Sequence, residues 1–151
     1  LAAVAARTGA GYVAMHMQGT PETMQQNPSY GDVVGEVTGF LVLAAEGARD
    51  AGVGEVWIDP GIGFGKTTAH NLSLLRHLGV LVRTGWPVLV GASRKRFVQV
   101  LTHARGVGDA LEGSLAAAVV AAASGAAMVR VHDVAPTVQA MRIVGGAGGP
   151  A

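Results

Sequence analysis

The sequence predicts an α/β fold built on a parallel β-sheet, and three observations support this prediction. Short apolar segments alternate four times with longer segments of helical periodicity. The short segments are apolar throughout, which is typical of parallel strands covered by helices on both faces. Polar residues cluster directly after each of them. Two architectures accept this pattern, an open doubly wound sheet and a (β/α)₈ barrel, and polar clusters after every strand favour the barrel.

The elements follow one another as four βα units. The predicted strands cover residues 12–17, 56–58, 87–91 and 128–131. Apolar residues at helical spacing predict the helices that follow, at 32–52, at 71–82, at 97–103 with 109–124, and at 134–144. An Ala-rich helix over residues 1–8 precedes them. Since a closed barrel takes eight strands and about 250 residues, we expect residues 1–151 to be the C-terminal portion of one barrel domain.

Composition excludes several classes of function. Half of the 151 residues are apolar, so the chain can bury a sizeable core. The formal net charge is +1 and charges of both signs are mixed, which provides no electrostatic footprint for nucleic acid or an anionic membrane. The apolar runs are interrupted by charge, Gly or Pro, so none reaches the roughly 20 residues of a membrane span. Cysteine is absent, which excludes disulfides and fits a reducing compartment such as the cytoplasm.

The loop after the second strand has the composition of a site. Residues 59–67 read DPGIGFGKT, with Asp59 at the end of the strand and three glycines that let the backbone pass close to a ligand. Alternatively, Asp59 only caps a turn. The spacing disfavours a phosphate-binding P-loop, which is the weakest alternative, because Pro60 stands where its first glycine is required. Lys66 is interpreted as a solvated loop charge.

Two further pairs of polar residues lie at strand ends. Ser93 and Lys95 are two positions apart, as are Arg130 and His132, so each pair points to one side of an extended backbone. Arginine at the end of a buried strand requires an anion or a solvent-filled space. The arginines that flank Lys95 are better explained as solvated charges. The remaining histidines lack ligand spacing, so no protein metal site is assigned: His16, His70, His77 and His103.

Four strings of residues together resemble dihydropteroate synthase. They read MHMQGTP at 15–21, DPGIGFGKT at 59–67 with His70 and Asn71, GASRKRF at 91–97, and RVHDV at 130–134. The resemblance extends over the whole chain and keeps the order of that family. It implies a (β/α)₈ barrel that joins 4-aminobenzoate to 6-hydroxymethyl-7,8-dihydropterin diphosphate, releases pyrophosphate in folate synthesis, and is a target of sulfonamides.

The resemblance also implies a role for individual residues. Asp59 would accept hydrogen bonds from the pterin, with Met15 and Phe64 in apolar contact with its ring. Catalytic roles would fall to Lys95, which would donate to the pterin, and to Arg130 and His132, which would bind the diphosphate. The full expected substrate-binding set is Met15, Asp59, Phe64, Gly91, Ser93, Lys95, Arg96, Arg130 and His132. The backbone N–H of Arg96 is a candidate for the carboxylate of 4-aminobenzoate. Mg²⁺ is expected with the diphosphate, its ligand in the family's first half.

Two other functions remain open from the sequence. A related pterin-binding barrel that transfers a methyl group from a folate would keep Asp59 but would have little use for the anion-binding pair. A non-catalytic half-barrel would instead assemble with a second chain through exposed sheet edges. A homodimer is the expected oligomeric state of the protein.

Overall fold

The computed structural model describes residues 1–148, which form four parallel strands and the helices that follow them. The strands are β1 (Tyr12–Met15), β2 (Val56–Asp59), β3 (Leu89–Val90) and β4 (Met128–Val129). The helices are α1 (Ala2–Thr8), α2 (Val33–Asp50), α3 (Thr68–Arg76), α4 (Leu78–Val82), α5 (Arg96–Thr102), α6 (Leu111–Ala123) and α7 (Val134–Gly148), with a 3₁₀ turn at Val107–Asp109. The prediction of four βα units is confirmed, and α7 extends four residues past its predicted end at 144.

The strands lie in a row that follows their order in the chain. β1 pairs in parallel with β2, which brings Met15 opposite Asp59, and β3 pairs in parallel with β4. A parallel bridge between Ile58 and Val88 joins the two pairs. The carboxyl ends of all four strands therefore lie along one edge, which is the arrangement on which the sequence prediction of a common site depended.

Burial differs between the inner and outer strands of the row. Ile58 of β2 and Val90 of β3 are 0% and 1% exposed. Val13 of β1 and Met128 of β4 are 42% and 44% exposed. Strands β1 and β4 are therefore less covered than the inner strands, and each of them has a strand on one side only within the described residues.

Helix α2 shows how the sequence specifies one layer of the fold. Asp32 caps its first turn by accepting from the backbone N–H of Val34, and the Glu36 carboxylate accepts from two N–H groups just before the helix. Its apolar stripe includes Val37 and Leu41, which are completely buried and pack with β1 and β2 in one core. Capping and periodicity agree here, and the predicted helix at 32–52 is confirmed.

The helix predicted at 71–82 is divided in the structure. It begins at Thr68, where Thr67 and His70 form a reciprocal capping box, and it ends at His77, whose φ of −106° and ψ of 22° leave the helical region. Helix α4 begins with Leu78. Apolar periodicity continues across the break, so the sequence pattern alone did not indicate it. Among the described residues, no helix is long and apolar enough to cross a membrane.

Candidate active site

Asp59 is the last residue of β2 and lies at the centre of the edge formed by the strand ends. Its carboxylate is 8% exposed, and Oδ1 accepts a hydrogen bond of 2.7 Å from the Gly61 N–H. Burial raises the pKa of Asp59, and this effect is opposed by the Gly61 N–H and by the charges of Lys95, Arg130 and Lys66. Three cations from three different segments thus act on one buried carboxylate.

The backbone after Asp59 makes a turn that requires glycine. Gly61 has a φ of +65°, and a Cβ at this position would lie 1.8 Å from the carbonyl oxygen of His16. Gly63 has a φ of +82°, and its Cβ would lie 2.9 Å from Cδ of Lys95. The loop therefore packs directly on the end of β1 and on the Lys95 side chain, which explains the high glycine content of this stretch.

Lys95 enters the site from the segment between β3 and α5. Its ammonium group donates to the carbonyl oxygen of Ile62 and lies 4.4 Å from the centre of the Phe64 ring. Burial lowers the pKa of Lys95 to about 8, with Asp59 acting in the opposite direction and Arg130 in the same direction. The sequence prediction that Lys95 enters the mouth agrees with this placement.

Arg130 and His132 follow β4, and both are exposed. The backbone N–H of Arg130 donates to the carbonyl oxygen of Val90, and Nε lies 3.6 Å from where a Cβ on Gly91 would be. Gly91 thus leaves room for the guanidinium beside β3. The sequence predicted that Arg130, at the end of a strand, requires an anion or a solvent-filled space. In this structure Arg130 is exposed to solvent.

Ser93 is held against His132 and is 5% exposed. Its Oγ accepts from the backbone N–H of His132 at 3.2 Å and lies 3.1 Å from the ring Nδ1. A hydroxyl that accepts from the amide can donate its own proton to Nδ1, and this arrangement places the ring proton on Nε2. The structure therefore places Ser93 where it can orient His132, whereas the sequence predicted contact with a ligand.

Arg94 is paired as well as partly exposed, and its interpretation as a solvated charge did not predict this pairing. Its guanidinium makes a bidentate ion pair with Asp133, through bonds of 3.0 Å from Nε and 2.6 Å from Nη2. The Arg94 backbone has a φ of +57°, and its N–H donates to Oγ of Ser114. This pair connects the segment that carries Lys95 to the segment that carries His132.

The interpretation of Lys66 as a solvated loop charge is wrong. Lys66 is 4% exposed, and Nζ lies 3.0 Å from both the His16 Nδ1 and the Phe64 carbonyl oxygen. Burial lowers its pKa to about 8. No pattern in the sequence indicated this burial, since a charged residue in a loop is usually solvated.

Met15 is the partner of Asp59 across the β1–β2 pair. Met15 is 38% exposed, so its side chain is accessible at this edge. Gln25 and Tyr30 come from the long loop after β1, and they donate to the carbonyl oxygens of Gly63 and Gly65. The string quoted at 15–21 covers the start of this loop, but no sequence motif included Gln25 or Tyr30.

These loops border a cleft of about 460 Å³. Residues from the segments after β1, β2 and β3 line it, including Met24, Gln25, Phe64, Lys95 and Arg96. Among the described residues, no group of three or more His, Asp or Glu could hold a metal ion. The cationic residues at this edge fit an anionic ligand, and the part of the chain that the structure describes supplies no ligand set for Mg²⁺.

The chain is similar to enzymes that bind pterins. Residues 1–132 match the family described as pterin binding enzyme. The dihydropteroate synthase of Escherichia coli strain K12 is 46% identical over 142 residues, which are 93% of this chain and 50% of that protein. A Mycobacterium leprae protein named inactive dihydropteroate synthase 2 is also 46% identical, over 93% of this chain and 50% of its own length. The chain therefore spans about half the length of these relatives.

Solved structures give the same result for the fold. Dihydropteroate synthase from Thermus thermophilus, in complex with 6HMPPP, matches 98% of this chain and 59% of its own with a TM-score of 0.94 and 44% identity. The same enzyme with 4-aminobenzoate matches 98% and 61%, with the same TM-score and identity. The Yersinia pestis enzyme with a sulfonamide drug matches 97% and 54%, with a TM-score of 0.92 and 42% identity. The prediction of a (β/α)₈-barrel fold, present here over about half its length, is confirmed.

Proposed function

The chain belongs to the pterin-binding enzyme family, and from this membership we propose that it acts as the C-terminal portion of a dihydropteroate synthase domain. The reaction would join 4-aminobenzoate to 6-hydroxymethyl-7,8-dihydropterin diphosphate and release pyrophosphate. One observation carries the proposal: the buried Asp59 carboxylate lies within the electrostatic reach of Lys95 and Arg130, which come from two other strand ends. A site with one carboxylate among cations suits a ligand with donor groups at one end and anionic charge at the other.

The pterin would bind at the Asp59 end of the site. A carboxylate can accept from the amino group and the neighbouring ring N–H of a pterin, much as it accepts from a guanidinium. Oδ1 of Asp59 already accepts from Gly61, which fixes the orientation of the carboxylate. Phe64 and Met15 would contact the ring, and the Lys95 ammonium, now on the Ile62 carbonyl, would donate to a ring oxygen or nitrogen.

The diphosphate would bind at the Arg130 end. A guanidinium offers paired donors to phosphate oxygens, and His132 adds a further donor from Nε2 in the tautomer that Ser93 favours. The bond from the pterin methylene carbon to the diphosphate oxygen would break, with the electron pair leaving on pyrophosphate. The neutral aryl amine would then form the new C–N bond and release its proton to solvent. Positioning and stabilisation of the leaving anion suffice, and no covalent enzyme intermediate is required.

The second substrate would occupy the cleft beside Phe64 and Lys95. Arg96 is the first residue of α5, and its backbone N–H remains the proposed partner for the 4-aminobenzoate carboxylate. A sulfonamide would compete for the same cleft. Mg²⁺ would reach the site on the diphosphate, with its protein ligand outside the described residues. We propose the cytoplasm as the compartment, since a chain without cysteine suits reducing conditions.

Calorimetry on the purified protein tests this function. We expect 6-hydroxymethyl-7,8-dihydropterin diphosphate and 4-aminobenzoate to bind. Asp59→Asn should abolish pterin binding, because an amide presents one acceptor where the ligand requires two. A methyl-transferring barrel would instead bind a folate and ignore pyrophosphate. Failure of the wild-type protein to bind either the pterin or pyrophosphate would exclude the proposal.

An assembly role is the second candidate, and the exposed strands favour it. Val13 and Met128 are more than 40% exposed on the outer strands of the row. Such strands offer edges to which another chain can pair. A homodimer is proposed here on that basis, and sedimentation equilibrium together with the binding experiment separates an assembly that binds ligand from one that does not.

Breaking the ion pair between Arg94 and Asp133 is expected to weaken pyrophosphate binding several-fold. The pair connects the segments that carry Lys95 and His132, so either Arg94→Ala or Asp133→Ala should loosen both. The reversed pair, Arg94→Asp with Asp133→Arg, should recover part of the affinity, since aspartate tolerates positive φ at least as well as arginine. Calorimetric titration gives the affinities. Wild-type affinity in both alanine variants would show that the ion pair does not position the site.

The contribution of Lys95 to pterin affinity is expected to decline as pH rises through about 8. The side chain is an ammonium below this pKa and an amine above it, and a hydrogen bond from a charged donor is roughly twice as strong as a neutral one. The measurement compares the pterin affinity of the wild type with that of Lys95→Gln between pH 6.5 and 9.5. Because both proteins bind the same ligand, the ionisation of the ligand cancels in the difference. A constant difference between the two proteins would contradict this role.

A further inference from the structure

Lys66 connects two segments that carry the site through the contacts of its ammonium group. Its ammonium group lies 3.0 Å from Nδ1 of His16, the residue after β1, and 3.0 Å from the carbonyl oxygen of Phe64. The ring of Tyr30 is 5.9 Å from the same nitrogen. Lys66 and Lys95 are the two lysines in the sequence, and each donates to a carbonyl of the loop after β2.

The contact with Lys66 determines which nitrogen of His16 carries the proton. An ammonium group can only donate, so Nδ1 of His16 must accept, and the ring proton must be on Nε2. Burial lowers the pKa of His16 to about 4, and the charge of Lys66 acts in the same direction. The imidazole is therefore neutral near pH 7 and remains an acceptor for Lys66.

The loop between Asp59 and Lys66 is held by several side chains at once. Asp59 accepts from the Gly61 N–H, Lys66 donates to the Phe64 carbonyl, and the Tyr30 hydroxyl donates to the Gly65 carbonyl at 2.7 Å. Lys66 is also one of the cations that oppose the effect of burial on Asp59. It therefore acts on the loop through a hydrogen bond and on the carboxylate through charge.

We infer that Lys66 is a positioning residue of the pterin site proposed above: its buried ammonium group holds the loop of residues 61–65 on the end of β1. Its charge also favours the charged form of Asp59. The inference rests on the proposed function. Lys66→Met removes the cost of burying an ammonium group but leaves the His16 Nδ1 and the Phe64 carbonyl oxygen without this donor. Urea unfolding of Lys66→Met therefore checks its fold before the site is tested, and Lys66→Gln, which keeps a donor, is the second variant.

The first experiment uses the wild-type chain without any ligand. Nitrogen-15 NMR of the His16 ring distinguishes its two tautomers, and we expect the proton on Nε2. Lys66→Gln retains a donor but removes the charge, whereas Lys66→Met removes both. Arg83→Met is the matched control, because Arg83 is an exposed cation at the end of α4, before β3 and therefore at the opposite end of the strands.

Carbon-13 NMR of the aspartate side chains then reports on Asp59, which is one of five aspartates in the sequence. We expect its pKa to rise further in both Lys66 variants and to stay at the wild-type value in Arg83→Met. Hydrogen exchange at the Gly61 amide should accelerate in Lys66→Met. Affinity for the dihydropterin diphosphate should fall about 10-fold, because a charged acceptor for the pterin is weakened.

The outcomes separate this inference from the proposed function. A wild-type protein that binds no pterin would exclude the proposed function, while the NMR results on His16, Asp59 and Gly61 would still decide how Lys66 acts on the loop. An Nδ1-protonated His16, or an Asp59 pKa unchanged in both Lys66 variants, would overturn the inference. So would a Lys66→Met protein that binds the pterin with wild-type affinity.

Discussion

Replacing Arg130 with alanine is expected to lower the affinity for inorganic pyrophosphate about 100-fold, because two charge-assisted hydrogen bonds would be lost. The guanidinium is exposed at the end of β4 and makes its bonds with the ligand alone in the proposed complex. For the same reason, the free energy of unfolding should change by less than about 0.5 kcal/mol. Calorimetric titration and urea unfolding give the two quantities.

The control for Arg130→Ala is Arg83→Ala, which removes an exposed guanidinium at the opposite end of the strands. It tests whether net charge alone accounts for the effect, since both variants lose one positive charge. We expect wild-type affinity in Arg83→Ala. If both variants lose affinity equally, pyrophosphate is attracted by overall charge, and Arg130 has no specific role.

Replacing Gly61 with alanine is expected to lower the free energy of unfolding by more than about 4 kcal/mol, which would prevent stable folding of many domains of this size. The added Cβ would lie 1.8 Å from the His16 carbonyl oxygen, a distance that no small adjustment can relieve. The φ of +65° adds the strain of the left-handed region. Urea unfolding followed by fluorescence of Trp57 and Trp86 measures the loss.

Two further glycines provide matched controls. Gly85 has a φ of +84° but no atom within 4 Å of its added Cβ, so Gly85→Ala should cost only about 1–2 kcal/mol from backbone strain. Gly39 lies within α2 and also has open space, so Gly39→Ala should stabilise the helix by up to about 1 kcal/mol. Equal losses in Gly61→Ala and Gly85→Ala would show that close packing on β1 contributes nothing.

The sequence predicted the architecture because its signals act over short distances. Asp32 and the apolar stripe of α2 specify a helix whatever surrounds it, and a glycine-rich stretch after a buried apolar segment indicates a strand that ends in a site. The position of Asp59 at the end of β2 followed from these signals. Since parallel strands end at one edge, its association with Lys95 and Arg130 could be predicted as well.

Other features depend on residues far apart in the chain. Lys66 and His16 are 50 positions apart, and Arg94 and Asp133 are 39 positions apart. A charged residue in a loop is usually solvated, so local pattern favoured that interpretation for both Lys66 and Arg94. The burial of Lys66 and the pairing of Arg94 depend on how the loops lie against each other. The exposure of β1 and β4 likewise depends on the neighbours of a strand and not on its own composition.

The sequence by itself determined the order of strands and helices, the parallel sheet and the identity of the residues at the strand ends, because periodicity, capping and glycine act through neighbours in the chain. Only the tertiary structure decided which charges are buried and which are paired. In the tertiary structure Lys66 is buried against His16, Ser93 contacts His132, and Arg94 pairs with Asp133. Desolvation and ion pairing depend on atoms brought together across the fold.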